Sequence, residues 1–192
     1  MIVETPHGPA RVHLRPAADA RAALVLGHGA GGGVTGPDLA AATEAALAER
    51  ISVALVEQPY RVAGRRAPAP AHQLDAAWAA VVEHLAFEVP LVVGGRSLGA
   101  RVACRSAAEP GAVAVLCLAF PLHPPGRPEK SRLEELEAVR VPVLVVQGER
   151  DPFGMPPSAP GRTVVQVRGD HALRADLDAV RAAVGTWFRR VV

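Results

Sequence analysis

The sequence predicts one α/β domain, a doubly wound, mostly parallel sheet with helices on both faces. Three observations lead there. Ala22–Gly27, Ser52–Glu57, Leu91–Gly94, Val113–Leu118 and Val143–Gln147 are almost wholly apolar rather than alternating, as strands covered on both faces are. The stretches between them carry apolar residues at helical spacing, so strands and helices alternate along the chain. Gly95-Arg96-Ser97-Leu98-Gly99 sits between the apolar run Leu91-Val92-Val93 and a segment able to continue as a helix. A serine with glycines two residues before and after it suits a very tight strand-to-helix turn.

The elements follow in order. Ile2–Glu4 and Ala10–Leu14 read as a hairpin around His7-Gly8-Pro9. After the strand Ala22–Gly27, Thr35-Gly36-Pro37-Asp38 opens a helix over Asp38–Arg50. The strand Ser52–Glu57 runs into a loop rich in proline and arginine, Gln58–Ala71. Leu74, Trp78, Val81, Val82 and Leu85 recur as one helix face. Beyond the serine turn come the strand Val113–Leu118, a Pro-rich loop over Phe120–Pro128, and a charged helix around Leu133, Leu136 and Val139. The strands Val143–Gln147 and Thr163–Val167 follow, and Leu173, Leu177, Val180, Val184, Trp187, Phe188 and Val191 mark a long closing helix. No internal repeat or interdomain linker interrupts the pattern. With 192 residues, 49% hydrophobic and 21% charged, residues 1–192 form one domain with a core and are not a disordered chain.

The formal net charge of +2 and the scatter of arginines among acids speak against a nucleic-acid partner. Cys104 and Cys117 fall inside expected elements and read as small buried hydrophobes, with no disulfide framework and no metal spacing. Neither a signal core at Met1–Pro6 nor a run of membrane-spanning length is present, so no membrane partner and a cytoplasmic location are expected.

A serine hydroxyl becomes a useful nucleophile when a base, itself oriented by a carboxylate, takes its proton. Asp151 follows the strand Val143–Gln147, and His171 follows Thr163–Val167. Both therefore belong to the strand ends where Ser97 stands. Ser97 is assigned as nucleophile, His171 as general base and then acid, and Asp151 as the group that orients the imidazole. Glu149 and Asp170 are rival acids. His123, after Val113–Leu118, is a rival base or a residue of the cleft. An oxyanion hole is expected from the Leu98 N–H and from the loop Gly27-His28-Gly29-Ala30-Gly31-Gly32-Gly33, with Ala30 N–H as second donor and Gly31 as the alternative.

The same loop matches G-x-G-x-x-G after a strand, and Glu57 ends the next strand where a ribose-binding acid would sit. A dinucleotide-binding enzyme is thus one alternative. Against it, Gly33, Gly36 and Pro37 delay the helix whose N-terminus would meet a pyrophosphate.

From about Leu24 to Val192 the chain resembles the α/β-hydrolase superfamily, and within it a small lidless branch of hydrolases related in pattern to dienelactone hydrolases. The resemblance is carried by Gly27-His28-Gly29-Ala30-Gly31, Gly94-Gly95-Arg96-Ser97-Leu98-Gly99-Ala100-Arg101, Pro121-Leu122-His123-Pro124-Pro125-Gly126 and Gln147-Gly148-Glu149-Arg150-Asp151-Pro152-Phe153-Gly154. The order serine, aspartate, histidine is that superfamily's order. The resemblance implies a minimal α/β-hydrolase fold without a cap domain. It also implies acyl transfer to water through an acyl-enzyme on Ser97, with no cofactor and no metal. Dienelactone hydrolases use a cysteine where this chain has Ser97, so their substrate does not carry over. The expected partner is a small-molecule ester or thioester. Lidless relatives in larger eukaryotic proteins act in assembly, which makes a non-catalytic scaffold the competing reading.

Gly29, Gly31, Arg96 and His123 are the candidate substrate contacts. Arg61, Arg65, Arg66, Arg96 and Arg101 lie at or near the same strand ends, where an arginine can bind a carboxylate or phosphate. Pairing with Glu57 or nearby acids is the plainer role for most of them.

Overall fold

The computed structural model describes residues 1–192. Its eight-stranded sheet comprises β1 (Ile2–Val3), β2 (Ala10–Arg15), β3 (Ala22–Gly27), β4 (Ile51–Glu57), β5 (Leu91–Arg96), β6 (Ala114–Leu118), β7 (Val143–Gly148) and β8 (Arg162–Val167). The spatial order is β1-β2-β4-β3-β5-β6-β7-β8. β1 and β2 pair antiparallel, as does β2 with β4, and every other pairing is parallel. The expected hairpin is therefore the antiparallel margin of an otherwise parallel sheet.

The helices are α1 (Pro37–Ala48), α2 (Pro59–Val62), α3 (Ala71–Leu85), α4 (Leu98–Ser106), α5 (Leu133–Glu137) and α6 (Leu177–Val191). Parallel strands require crossovers, and these helices supply them on both faces. The side-chain period of two divides each central strand between two cores. Val25, Val93, Val115 and Val145 point to one face, where Trp78 of α3 and Ala103 of α4 cover them. Leu24, Leu26, Leu116 and Leu144 point to the other, against Leu39 of α1 and Phe188 of α6. Trp78 and Phe188 are almost wholly buried, and burying such a side chain is worth roughly 1.5–3 kcal/mol.

Several strand and helix ends shift by a residue or two, and three differences from the sequence reading are larger. The Pro/Arg loop contains the single turn α2, started by Pro59 at its first position, where a missing N–H is harmless. The charged helix shrinks to Leu133–Glu137, leaving Val139 outside. The closing helix begins at Leu177, because the Asp176 side chain accepts the Ala179 N–H and caps it there. Leu173 is not helical: it has φ 52° and is fully buried, an anchor for the turn that carries His171. No helix is long and apolar enough to cross a membrane.

Candidate active site

Register brings the site together at the carboxyl ends of the parallel strands. Gly27 of β3 pairs with Gly95 of β5, and Arg96 pairs with Leu118 of β6. α4 starts immediately after Ser97 and packs back over β5. A Cβ on Gly95 would lie 2.6 Å from the Gly27 carbonyl oxygen, and one on Gly99 would collide with that same oxygen. The two glycines of the motif are thus demanded by the close approach of β3 to the turn. Ser97 itself has φ 52° and ψ −108°, an unfavourable conformation for a residue with a side chain, of order 1–3 kcal/mol. Its N–H donates to the Leu118 carbonyl at 2.9 Å, which holds the strained residue in place.

Three sequence-predicted residues from three strand ends meet in one hydrogen-bonded chain. Ser97 Oγ lies 2.9 Å from Nε2 of His171, and Nδ1 of His171 lies 2.8 Å from Oδ2 of Asp151. The Asp151 carboxylate is 1% exposed and the His171 side chain 17%. The Asp151 oxygens have further donors: the Phe153 N–H reaches Oδ1, and the Gln147 side-chain amide reaches Oδ2, both at 2.8 Å. Donors to both oxygens fix the carboxylate's orientation and, through it, the imidazole tautomer: Nδ1–H donates to Asp151, which leaves Nε2 free to accept from the serine. The Phe153 ring lies over the imidazole, with centroids 4.1 Å apart. Gln147 and Phe153 were not singled out in the sequence. A lone polar residue in the apolar run Val143–Gly148 was the available signal for Gln147.

The rival acids are engaged elsewhere or exposed. Asp170 accepts the Ala172 N–H, and Glu149 is exposed. His123 makes no hydrogen bond to Ser97 or Asp151. Its Nδ1 faces the Pro124 carbonyl at 2.9 Å, its ring packs against Gly154, and its N–H donates to Phe153.

The loop after β3 is built from inside. His28 is buried; its Nε2 accepts the Gln58 N–H at 3.1 Å while Nδ1 faces the Gly29 carbonyl at 2.8 Å. Burial pushes its pKa down, so it stands as a neutral bridge between this loop and the end of β4. The Tyr60 hydroxyl donates to the Ala30 carbonyl at 2.9 Å, and burial raises this phenol to about 12. The N–H groups of Ala30 and Leu98 find no acceptor within the chain. A polar cleft of about 370 Å³ is lined by Gly29, Gly31, Thr35, Arg96, Ala172 and Arg174 among others, the chain neighbours of Ala30, Ser97 and His171 rather than those residues themselves. A hollow of about 580 Å³ between Val82, Phe87, Pro90 and Val113 opens at the amino ends of β5 and β6, away from Ser97.

The arginines divide. Arg101 forks onto Glu135 with contacts of 2.9 and 2.6 Å, and Arg65 and Arg66 are exposed. Arg61 donates to the Arg65 carbonyl. Arg96 is held by protein groups: Nε lies 2.8 Å from Asp38 Oδ2, and Nη2 donates to the His171 carbonyl at 3.1 Å. Burial raises the Asp38 carboxyl above its usual range, an effect that Arg96 opposes. In the G-x-G-x-x-G loop, α1 begins only at Pro37, well past Gly32, and Glu57 is paired with Arg11 and His13.

Comparison with solved structures places this architecture in the class of α/β-hydrolase folds. The chain resembles XC6422 from Xanthomonas campestris, described as a serine hydrolase without a lid, with 23% identity, a TM-score of 0.79, and coverage of 99% of this chain and 93% of that one. It also resembles Est1E from Butyrivibrio proteoclasticus, at 14% identity and TM-score 0.79 over 99% of this chain and 97% of that one. For dienelactone hydrolase from Anabaena variabilis the values are 17% identity and TM-score 0.77, over 100% and 96% of the two chains. A search of curated proteins finds no match. At the sequence level, a family model described as an alpha/beta hydrolase domain matches residues 20–174, and the chain belongs to that family.

Proposed function

We propose that this protein is a serine hydrolase that cleaves a carboxylic ester or thioester through an acyl-enzyme on Ser97. The observation that carries the reading is the continuous chain Ser97 Oγ–His171 Nε2–Asp151 Oδ2, with contacts of 2.9 and 2.8 Å and the correct acceptor atom facing the serine. In the first step Ser97 Oγ bonds to the carbonyl carbon of the substrate while its proton passes to His171 Nε2. The oxygen that gains negative charge is received by the unpaired N–H groups of Leu98 and Ala30. The imidazolium, stabilised by Asp151, then protonates the departing alkoxide or thiolate. Water repeats the sequence against the acyl-serine, giving the carboxylic acid and restoring Ser97. No step calls on a metal or organic cofactor.

A small-molecule substrate is taken to enter from the cleft lined by Gly29, Gly31 and Arg96, whose chain neighbours are Ala30 and Ser97. Esters and thioesters come before peptides because a simple ester asks least of such a shallow site. The neighbours' descriptions as a serine hydrolase and a dienelactone hydrolase support the hydrolase direction. The test is rapid quench of the protein with p-nitrophenyl acetate, followed by mass mapping. Acetyl on Ser97 at early times and free nitrophenol in catalytic amounts are the expected result. Turnover that survives Ser97→Ala would contradict the reading. A folded protein that neither acylates nor turns over would favour a scaffold built on this fold.

A further inference from the structure

Arg96 joins three segments through one guanidinium. Its Nε contacts the Asp38 carboxylate in the first turn of α1, and its Nη2 donates to the backbone oxygen of His171. Its Nη1 fills the space over Gly29, where a Cβ would come within 2.6 Å of it. The next residue in the chain is Ser97. The guanidinium therefore touches the turn that carries the histidine and the loop that carries Ala30, from a backbone position adjoining the nucleophile. Asp38 is fixed in turn: its side chain is 1% exposed, and Oδ1 accepts the Leu39 N–H at 3.0 Å. Its Oδ2 has no well-angled hydrogen bond, and the ionic contact with Arg96 is all that faces it.

This arrangement argues against Arg96 as a binding site for a substrate anion. Its charge is already met by a buried carboxylate, which an incoming anion would have to displace. A buried ion pair is also a poor source of stability compared with an apolar pair of similar size. What it supplies is a directional link among three loops.

We infer that Arg96 and Asp38 are positioning residues: the pair clamps the His171 turn and the Gly29–Ala30 loop to the nucleophile turn, so that base, amide donors and Ser97 keep one mutual geometry. The inference rests on the serine hydrolase reading above. Small misplacements of reacting groups lower rates by as much as about 100-fold without much change in binding. Loosening the clamp therefore lowers the maximal rate of Ser97 modification and leaves half-saturation nearly unchanged.

The test uses Arg96→Gln, Arg96→Lys, Asp38→Asn and the double variant Arg96→Gln/Asp38→Asn, with Arg66→Gln as a control for net charge. Each is assayed with an alkyl fluorophosphonate for maximal labelling rate and half-saturating concentration. Amide hydrogen exchange is read at Arg150 and Leu173, whose N–H groups bond to Gly169 and Asp170 of the His171 turn. Arg96→Gln is expected to label about 10- to 100-fold more slowly at unchanged half-saturation, with partial recovery in Arg96→Lys. The double variant removes the buried Asp38 charge together with its half-buried Arg96 partner and so recovers melting temperature, yet remains slow. Protection at Arg150 and Leu173 falls while that of β5 and β6 stays. Wild-type labelling rates in a folded Arg96→Gln protein, or a double variant that recovers rate together with stability, would overturn the clamp. If the wild type does not label, the hydrolase reading fails separately, and unchanged exchange at Arg150 and Leu173 would then reject the clamp by itself.

Discussion

Replacing Gln147 by leucine tests how the carboxylate of the proposed triad is held. Gln147 is wholly buried, and its Nε2 lies 3.0 Å from the Phe120 carbonyl, 2.8 Å from Asp151 Oδ2 and 2.9 Å from the Gly154 carbonyl. An amide nitrogen has two hydrogens, so it serves two of these acceptors at a time. Gln147→Leu keeps the volume and removes both donations. Asp151 Oδ2 retains His171 and the Phe120 carbonyl retains the Leu122 N–H, but the Gly154 carbonyl loses its donor. The lost hydrogen bond to the Asp151 carboxylate is worth about 1.5–3 kcal/mol, and the unpaired Gly154 carbonyl costs about 1–3 kcal/mol. The substitution also removes Gln147 Oε1, which has no partner of its own and carries a penalty of similar size. The net loss is about 1–3 kcal/mol, which lowers the melting temperature of a domain this size by roughly 2–10 °C. With one of two outside donors gone from Asp151, labelling of Ser97 should slow by roughly tenfold. Thermal melts and fluorophosphonate kinetics on the purified variant read both effects. Unchanged melting together with an unchanged labelling rate would refute the idea that Gln147 holds Asp151.

Four further outcomes are expected. Ser97→Gly removes the side chain from a strained backbone, so it should abolish labelling while raising stability in urea by up to about 1 kcal/mol, since glycine's greater unfolded freedom offsets part of the relief. The Tyr60 phenol is raised from 10.0 to about 12 on folding, so the unfolded chain gives up this proton first. Its contribution to stability is accordingly complete below pH 10.0 and is lost as pH rises toward about 12; melts across that window should show the loss in wild type and not in Tyr60→Phe. Leu173→Ala, which empties a fully buried site beneath the His171 turn, should cost about 2–5 kcal/mol in denaturant titrations. Cys104 and Cys117 are 4% and 0% exposed, and the hydrogen-bonded Cys104 thiol together with burial raises the Cys117 pKa, so iodoacetamide should modify neither cysteine until urea is added.

The central strands were legible because burial on both faces leaves a continuous apolar signature, and β3, β5, β6 and β7 lie where those runs lie. α2 was hidden because one turn has no periodicity, and proline and arginine around it read as loop. The start of α6 was misplaced by Leu173, an apolar residue at helical spacing whose burial serves a left-handed turn instead. In the site, Ser97, Asp151 and His171 were legible from their places after strands and their order. Gln147, Tyr60 and Asp38 were not, because each acts through a contact with a residue distant in the chain or with another element. Arg96 was visible as a charge beside the serine, but its partner Asp38 lies 58 positions earlier and only folding brings them together.

The most direct test of the central claim is fluorophosphonate labelling of wild type and Ser97→Ala, with mass mapping of the modified peptide. An activated nucleophile predicts rapid, stoichiometric modification of Ser97 and none in the variant. A folded wild-type protein that stays unmodified, or one modified equally in both forms, would contradict it.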